Sequence, residues 1–150
     1  MPAAVLTSNA EVAVPEPPLV FDTSAWQRQR QPAARGRWLE LLDAGRLALC
    51  PVVALEVCAA ARDEEEHARL EMALGTLQAH APVTEQAGEA ARGALRDLGA
   101  RRRLPAADYL IAVAAAQRGF GVLHYDRHFD ALCDVLGIKS VWLAPRGTLD

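Results

Sequence analysis

In this 150-residue sequence, Glu56 is the acid whose surroundings are hardest to reconcile with an ordinary surface position. It lies in the run 51–61, where the only other polar side chain is the thiol of Cys58. If the run is helical, the neighbours of Glu56 one turn away are valines and alanines, so no side of it is expected to be solvated. A buried carboxylate must be paired, protonated or bound to a cation, because an isolated buried charge is very costly. A surface position on a short helix is the alternative.

Asp22, Asp108 and Asp126 occupy comparable places at the starts of apolar segments. Each also suits an ordinary role: Asp22 and Asp126 as helix N-caps, and Asp108 in a first helical turn, where the helix dipole favours an acid. Four carboxylates brought together would repel one another unless a cation lay between them. No histidine or cysteine is expected to converge with them, so the set favours a hard cation, Mg²⁺ or Mn²⁺, over zinc.

Residues beside these acids are candidates for supporting roles. Thr23 and Ser24 follow Asp22 directly, and their hydroxyls could orient it or contact a phosphate. Asp130 lies one helical turn after Asp126 and can point the same way. For Asp130 a solvent-facing position is favoured, and a supporting place at the metal is the alternative.

The elements that must position these acids are short apolar strands alternating with helices. Strands are expected at 19–21, 46–50, 121–125 and 139–143, with a short edge strand at 81–83, and helices at 33–44, 63–80, 85–98, 105–118 and 127–136, besides one that begins at Pro51. This alternation predicts an α/β fold, a mainly parallel central sheet with helices on both faces. Ligands of such sheets bind outside the carboxyl ends of the strands, where Asp22, Asp126 and the Glu56 helix would meet.

Composition indicates one domain over residues 19–150, preceded by a proline-containing tail, residues 1–18, that is expected to be disordered. No apolar stretch approaches the roughly 18 residues of a membrane span, and the first residues do not resemble a secretory signal. Three cysteines match no zinc spacing and no disulfide framework, which indicates buried thiols in a reducing cytoplasm. Of the histidines, His124 is expected in the core and His128 on a helix surface.

The net charge of −3 argues against a generic, charge-driven binder of nucleic acid. The distribution of charge is more informative than its sum. Arginines crowd two segments, 28–37 and 101–103, and the acidic run 63–66 lies apart from both. A site that combines a metal with nearby arginines is therefore compatible with the sequence.

Four segments carry a family resemblance when taken in order. They are residues 20–25 (VFDTSA), Glu56 in its apolar helix, residues 107–112 (ADYLIA) and residues 122–130 (VLHYDRHFD). The chain resembles a PIN-domain ribonuclease, specifically the VapC toxin of a VapBC toxin–antitoxin pair. The closing residues 142–150 also resemble the tail of actinobacterial members. The resemblance runs from Leu19 to Asp150 and leaves residues 1–18 outside it.

The resemblance implies a catalytic cluster of Asp22, Glu56, Asp108 and Asp126 that binds Mg²⁺ or Mn²⁺ and hydrolyses RNA, leaving a 5′-phosphate and a 3′-hydroxyl. A bound metal would activate a water molecule and neutralise charge at the phosphorus. The arginines implied to hold the RNA backbone by charge are Arg28, Arg30, Arg101, Arg102, Arg103 and Arg127. The implied partners are a VapB-type antitoxin, whose tail would occupy the groove, and a second copy of the chain in a homodimer.

Two other classes of function stay open at this point. The domain could be a catalytically silent PIN-like module that binds RNA or protein; the complete set of acids argues against this. It could also be a metal-dependent phosphatase or DNA nuclease on a similar sheet. Substrate preference would separate these alternatives.

Overall fold

The strands and helices of this chain are seen in a computed structural model that describes residues 15–99 and 103–150. Most of the expected tail, residues 1–14, lies outside the described residues. The strands are β1 (Leu19–Phe21), β2 (Leu47–Leu49), β3 (Ala79–His80), β4 (Gly121–His124) and β5 (Ser140–Trp142). The helices are α1 (Thr23–Arg28), α2 (Pro32–Asp43), α3 (Pro51–Ala59), α4 (Glu64–Gly75), α5 (Glu85–Leu98), α6 (Ala106–Gln117) and α7 (His128–Leu136).

The five strands form one sheet in the order β3-β2-β1-β4-β5, and every neighbouring pair is parallel. In the centre, Val20 is in register with Ala48 of β2 and with Val122 of β4. The predicted parallel α/β sheet is therefore confirmed. Because the strands are parallel, the residues that follow β1 and β4 lie side by side at one edge of the sheet.

Every residue of β1 and β4 is buried. Successive side chains of a strand point to opposite faces, so helices must cover both faces of the sheet centre. The core is built around Phe21, Ile111, Leu123, Phe129 and Leu132. Throughout the part of the chain that the structure describes, every helix is too short or too polar to cross a lipid bilayer.

Close packing explains the glycine that opens β4. A side-chain carbon at Gly121 would lie 2.8 Å from the carbonyl oxygen of Lys139, so only glycine lets β4 approach this segment. At the end of α7, Gly137 has a φ of 67° and closes the helix in the left-handed conformation. Both glycines help to fix the β4–α7–β5 unit that carries Asp126.

The edge of the sheet differs from the prediction. The strand expected at 81–83 forms instead at Ala79–His80, because the helix expected over 63–80 already ends at Gly75. The last ladder hydrogen bond is donated by the Ala81 N–H to the Leu49 carbonyl, at 3.0 Å. Pro82 follows and has no N–H with which to extend the strand.

Candidate metal centre and active site

Three of the four predicted acids meet at the carboxyl edge of β1 and β4. The Asp22 N–H donates to the Leu123 carbonyl at 2.8 Å, which ties the end of β1 to the end of β4 beside Asp126. Asp108 arrives in the first turn of α6, a favourable place for an acid. Asp22 and Asp108 are largely buried, with exposed fractions of 6% and 8%. Together with Glu56 these residues are called the acidic cluster below.

Ser24 holds Asp22 in place. Its N–H and its hydroxyl both donate to Oδ2 of Asp22, at 3.0 and 2.6 Å. The same hydroxyl accepts the N–H of Tyr125 at 2.9 Å, which links the start of α1 to the end of β4. Ser24 thus fixes the orientation of one acid and ties the two strand ends together.

His128 joins the cluster, although the sequence placed it on the helix surface. Its Nδ1 lies 3.2 Å from Oδ2 of Asp108 and 3.5 Å from Oδ1 of Asp126. The ligand atoms of these three residues all lie within 4.8 Å of one another. The sequence signal for His128 is its position two residues after Asp126. Oδ1 of Asp126 accepts the His128 N–H at 3.0 Å, and this turn of the chain brings the ring next to the acids.

Glu56 lies at the rim and is exposed, so the expectation that none of its sides is solvated is wrong. Apolar neighbours in the sequence did not imply burial, because α3 also exposes Leu55, at 71%. Glu56 nevertheless faces the cluster: partial burial raises the pKa of its carboxyl, and the charge of Asp22 raises it further. It is the member of the cluster most accessible to water.

Burial and mutual repulsion dominate the electrostatics of the inner acids. Burial raises the pKa of Asp108 to about 6; the charges of Asp22 and Asp126 add to the rise, and the hydrogen bond with His128 offsets part of it. Burial also raises the pKa of Asp22, with a further contribution from Asp126, while the hydrogen bonds from Ser24 oppose it. The acids are therefore brought together at an electrostatic cost.

These residues fit a hard divalent cation. Within residues 15–99 and 103–150, no arginine or lysine forms an ion pair with an acid of the cluster, so His128 offsets only part of its negative charge. Thr23 adds a buried hydroxyl that makes no hydrogen bond of normal geometry. This hydroxyl lies close enough to Glu56 to offset some of the rise in the pKa of that carboxyl. Carboxylate and hydroxyl oxygens are the ligands that Mg²⁺ and Mn²⁺ prefer.

Asp130 lies outside the cluster and ends a hydrogen-bond chain that runs from the Asp126 backbone through buried His124 to the surface. The Asp126 N–H donates to Nδ1 of His124 at 3.2 Å, so Nε2 of that ring carries the proton and donates to Ser140 at 2.7 Å. The Ser140 hydroxyl donates to Oδ1 of Asp130 at 2.7 Å, and the Trp142 indole donates to the same oxygen at 3.1 Å. His124 is fully buried, as expected, and burial lowers its pKa to about 4, so it is neutral.

The predicted arginines that the structure describes fall into three groups. Arg103 and Arg127 are exposed and line a groove of about 770 Å³ beside His128 and Asp130. Arg30 lines a second groove of about 320 Å³ that reaches Glu56 and Thr23. Arg28 donates to the Asp150 and Ser24 carbonyls and covers the Tyr125 ring, so it is already engaged. Arg101 and Arg102 lie outside the described residues.

Arg146 belongs to the larger groove and was missed from the sequence. Its guanidinium lies over the Trp142 ring, 5.7 Å from the centroid, and it lines the groove together with Arg103 and Arg127. The groove that these three arginines line is called the arginine groove below. Arg146 could not be recognised because it comes from the closing segment, far in sequence from the other two.

Comparisons with known proteins agree with this geometry. The family model described as PIN domain matches residues 19–135. Ribonuclease VapC51 of Mycobacterium tuberculosis is 38% identical over 135 residues, covering 87% of this chain and 96% of that protein. Ribonuclease VapC18 of the same organism is 34% identical over 133 residues, covering 85% and 96%. The crystal structure of VapBC-5 from M. tuberculosis, a member of the VapBC family of toxin–antitoxin systems, matches with a TM-score of 0.60 at 25% identity, covering 83% of this chain and 97% of that one.

Proposed function

The chain belongs to the PIN domain family, among its VapC ribonucleases, and we propose that it is an endoribonuclease that uses Mg²⁺ or Mn²⁺ held by the acidic cluster. The observation that carries this proposal is the meeting of Asp22, Asp108 and Asp126 at one sheet edge, where no arginine or lysine of the described residues pairs with them and His128 contacts only Asp108 and Asp126. A cation held there would lower the pKa of a bound water and neutralise charge on a phosphodiester.

The inner residues would hold the cation in a fixed place. Asp22 is anchored by two hydrogen bonds from Ser24, and Asp108 and Asp126 are brought together by the His128 ring. The Thr23 hydroxyl is available as a further oxygen donor. Because these groups are oriented by the backbone and by one another, little reorganisation is needed on binding.

Glu56 suits a different task, the removal of a proton from the attacking water. It lies at the exposed rim, where substrate and water can reach it. Its carboxyl pKa is raised by partial burial and by Asp22, which makes it a better proton acceptor than an ordinary glutamate.

RNA would lie across the cluster between the two grooves. The arginine groove borders it beside His128, and Arg30 lies in the groove that borders Glu56. Exposed arginines in grooves attract phosphates without reading bases, so the affinity should depend strongly on salt. Arg28 is the weakest candidate, because its guanidinium already bonds the chain itself.

The proposed partners are a VapB-type antitoxin and a second copy of the chain. The solved relative VapBC-5 belongs to a toxin–antitoxin family. In this chain, α3 and α4 expose Leu55 and Met72, at 71% and 77%. A contiguous apolar patch on this pair of helices would suit a surface that another chain covers. Light scattering of the free and antitoxin-bound chain would measure both assemblies.

The deciding experiment is cleavage of total cellular RNA by the purified chain free of antitoxin. We expect cutting with Mg²⁺ or Mn²⁺, none with EDTA, and new ends that carry a 5′-phosphate. Asp108→Asn should abolish cutting, whereas Asp43→Asn, which changes an exposed acid at the end of α2, should not. Comparison with single-stranded DNA and a phosphomonoester as substrates separates this activity from the other metal-dependent hydrolases.

Two results would count against the proposal. Cleavage by Asp108→Asn at the rate of the unaltered chain would remove Asp108 from the site. RNA binding without cleavage in the presence of either metal, by a folded protein, would favour the silent binding module.

A further inference from the structure

A second group of ligand-type side chains lies between α3 and α4. Cys58, in the last turn of α3, is buried with an exposed fraction of 8%. His67 and Glu71 lie one turn apart on α4 and are exposed. The Cys58 thiol donates to Oε1 of Glu71 at 3.6 Å, and Nε2 of His67 lies 3.6 Å from the same oxygen. All three ligand atoms lie within 4.8 Å of one another.

Two of these distances, from sulfur and from nitrogen to the Glu71 oxygen, match those of a tetrahedral zinc centre. Zinc binds sulfur at about 2.3 Å and histidine nitrogen or carboxylate oxygen at about 2.0–2.2 Å, so neighbouring ligand atoms lie about 3.4–3.6 Å apart. The sulfur–oxygen and nitrogen–oxygen separations of 3.6 Å therefore need little adjustment. The thiol proton now lies between sulfur and carboxylate, and a cation would replace it there.

We propose that Cys58, His67 and Glu71 bind Zn²⁺ at a site separate from the acidic cluster. A thiolate, an imidazole and a carboxylate together favour zinc over Mg²⁺, because magnesium prefers oxygen ligands alone. Three protein ligands leave a fourth position for water. Below, these three residues are called the thiol site.

The thiol site would attach α4 to the helix that carries Glu56. Helix α4 buries only Leu74 of its twelve residues, so its hold on the rest of the fold is weak. Cys58 and Glu56 are two residues apart, which is about 200° around the helix, so their side chains lie on opposite sides of α3. A cation bound to Cys58 and to α4 would therefore restrain Glu56 without contacting it.

The test is a titration of the full chain with Co²⁺, a spectroscopic stand-in for Zn²⁺, in excess Mg²⁺. We expect one equivalent of Co²⁺ to give a thiolate-to-cobalt charge-transfer band in the near ultraviolet, and Zn²⁺ to abolish it. Cys58→Ser should lose the band, and Cys133→Ser, a change in another buried thiol, should keep it. His67→Gln should weaken binding by about 100-fold or more.

The variants also keep the inference falsifiable. His67 is exposed, so His67→Gln decides the question if Cys58→Ser does not fold. A folded chain without the band, or a band that persists in folded Cys58→Ser, would overturn the site. Asp108→Asn should bind Co²⁺ with the same band, so that the result stands apart from the fate of the proposed ribonuclease activity.

Discussion

The two faces of α3 carry two different kinds of ligand group. On one face, Glu56 completes a cluster of oxygen ligands that the ends of β1 and β4 and the start of α6 bring together. On the other face, Cys58 meets His67 and Glu71, which belong to a helix with a single buried residue. The first group is built by the sheet, and the second by the contact of two helices. One helix can thus serve a hard-cation site and a borderline-cation site with little competition between them.

The difference lies in what positions each group. Backbone hydrogen bonds and Ser24 hold the inner acids, so their geometry is set by the core and persists at an electrostatic cost. The side chains of His67 and Glu71 are exposed and held only by contacts with each other and with Cys58, so a bound cation would restrain them further. The proposed metal site at the sheet edge is therefore preformed, whereas the proposed thiol site would gain order on binding.

The largest expected effect comes from exchanging one glutamate on each side of α3. Glu56→Gln should lower RNA cleavage by about 100-fold or more, because it removes the proposed proton acceptor, and should leave the Co²⁺ band unchanged. Glu71→Gln should weaken the Co²⁺ band and leave RNA cleavage unchanged. Cleavage rates and the cobalt spectrum, measured on both variants, test the separation. Loss of cleavage in both variants would show that the two sites act as one.

Metal binding should stabilise the chain in two separable steps. At 100 times its dissociation constant, Mg²⁺ should raise the free energy of unfolding by about 2.7 kcal/mol, which raises the melting temperature by about 5–10 °C. Zn²⁺ should add an independent increment. Asp22→Asn should remove only the Mg²⁺ increment, and Cys58→Ser only the Zn²⁺ increment. Thermal melts with each metal check this, and an unchanged melting temperature across a full Mg²⁺ titration would count against a preformed cluster.

The pH dependence of the metal-free chain should come from the acidic cluster. Folded Asp108 keeps its proton up to about pH 6, whereas its usual pKa is 3.8. Between these values the unfolded chain loses the proton first, so stability falls as pH rises from about 4 to about 6. Asp108→Asn should lack this fall and melt above the unaltered chain at pH 7. Melts in EDTA, with Asp43→Asn as the control, measure the difference; equal curves for all three proteins would contradict it.

The smallest expected effect concerns the hydrogen-bond chain behind Asp126. Ser140→Ala breaks the link between His124 and Asp130 and should lower the free energy of unfolding by about 1 kcal/mol. Cleavage should fall by about tenfold at most, since only the backbone of Asp126 is held by this chain. Thr76→Ala is the control, because it removes a hydroxyl that donates to the Ala73 carbonyl at 2.7 Å at an exposed helix end. A loss as large as that of Glu56→Gln would mean that the chain acts directly in the reaction.

The sheet and the inner acids could be predicted because strand and acid are adjacent in the sequence. Asp22 and Asp126 follow apolar strands, and parallel pairing brings such residues together wherever the chain goes in between. The expected burial of Glu56 is wrong because burial on a helix is not determined by the adjacent residues of the sequence. Its apolar neighbours lie on a helix that faces solvent on one side, and only tertiary packing determines which side.

Features that depend on side-chain direction or on distant segments could not be predicted. The sequence offers a local signal for His128, since Asp126 two residues earlier can accept its N–H, but the direction of the ring is seen only in the structure. Arg146 joins the arginine groove from the end of the chain. The thiol site depends on the register between α3 and α4, and no sequence spacing of cysteine, histidine and glutamate determines that register.

The strand order has a consequence for synthesis of the chain. The central strand β1 is made first among the strands, but one of its two neighbours is β4, which comes after α6. Contacts between residues so far apart in sequence are slow to form and must wait for the nascent chain to lengthen. Asp22 therefore has no Asp126 beside it until translation has passed β4. A ribosome that stalls earlier holds a chain without the acidic cluster, so the fold itself delays activity until synthesis is nearly complete.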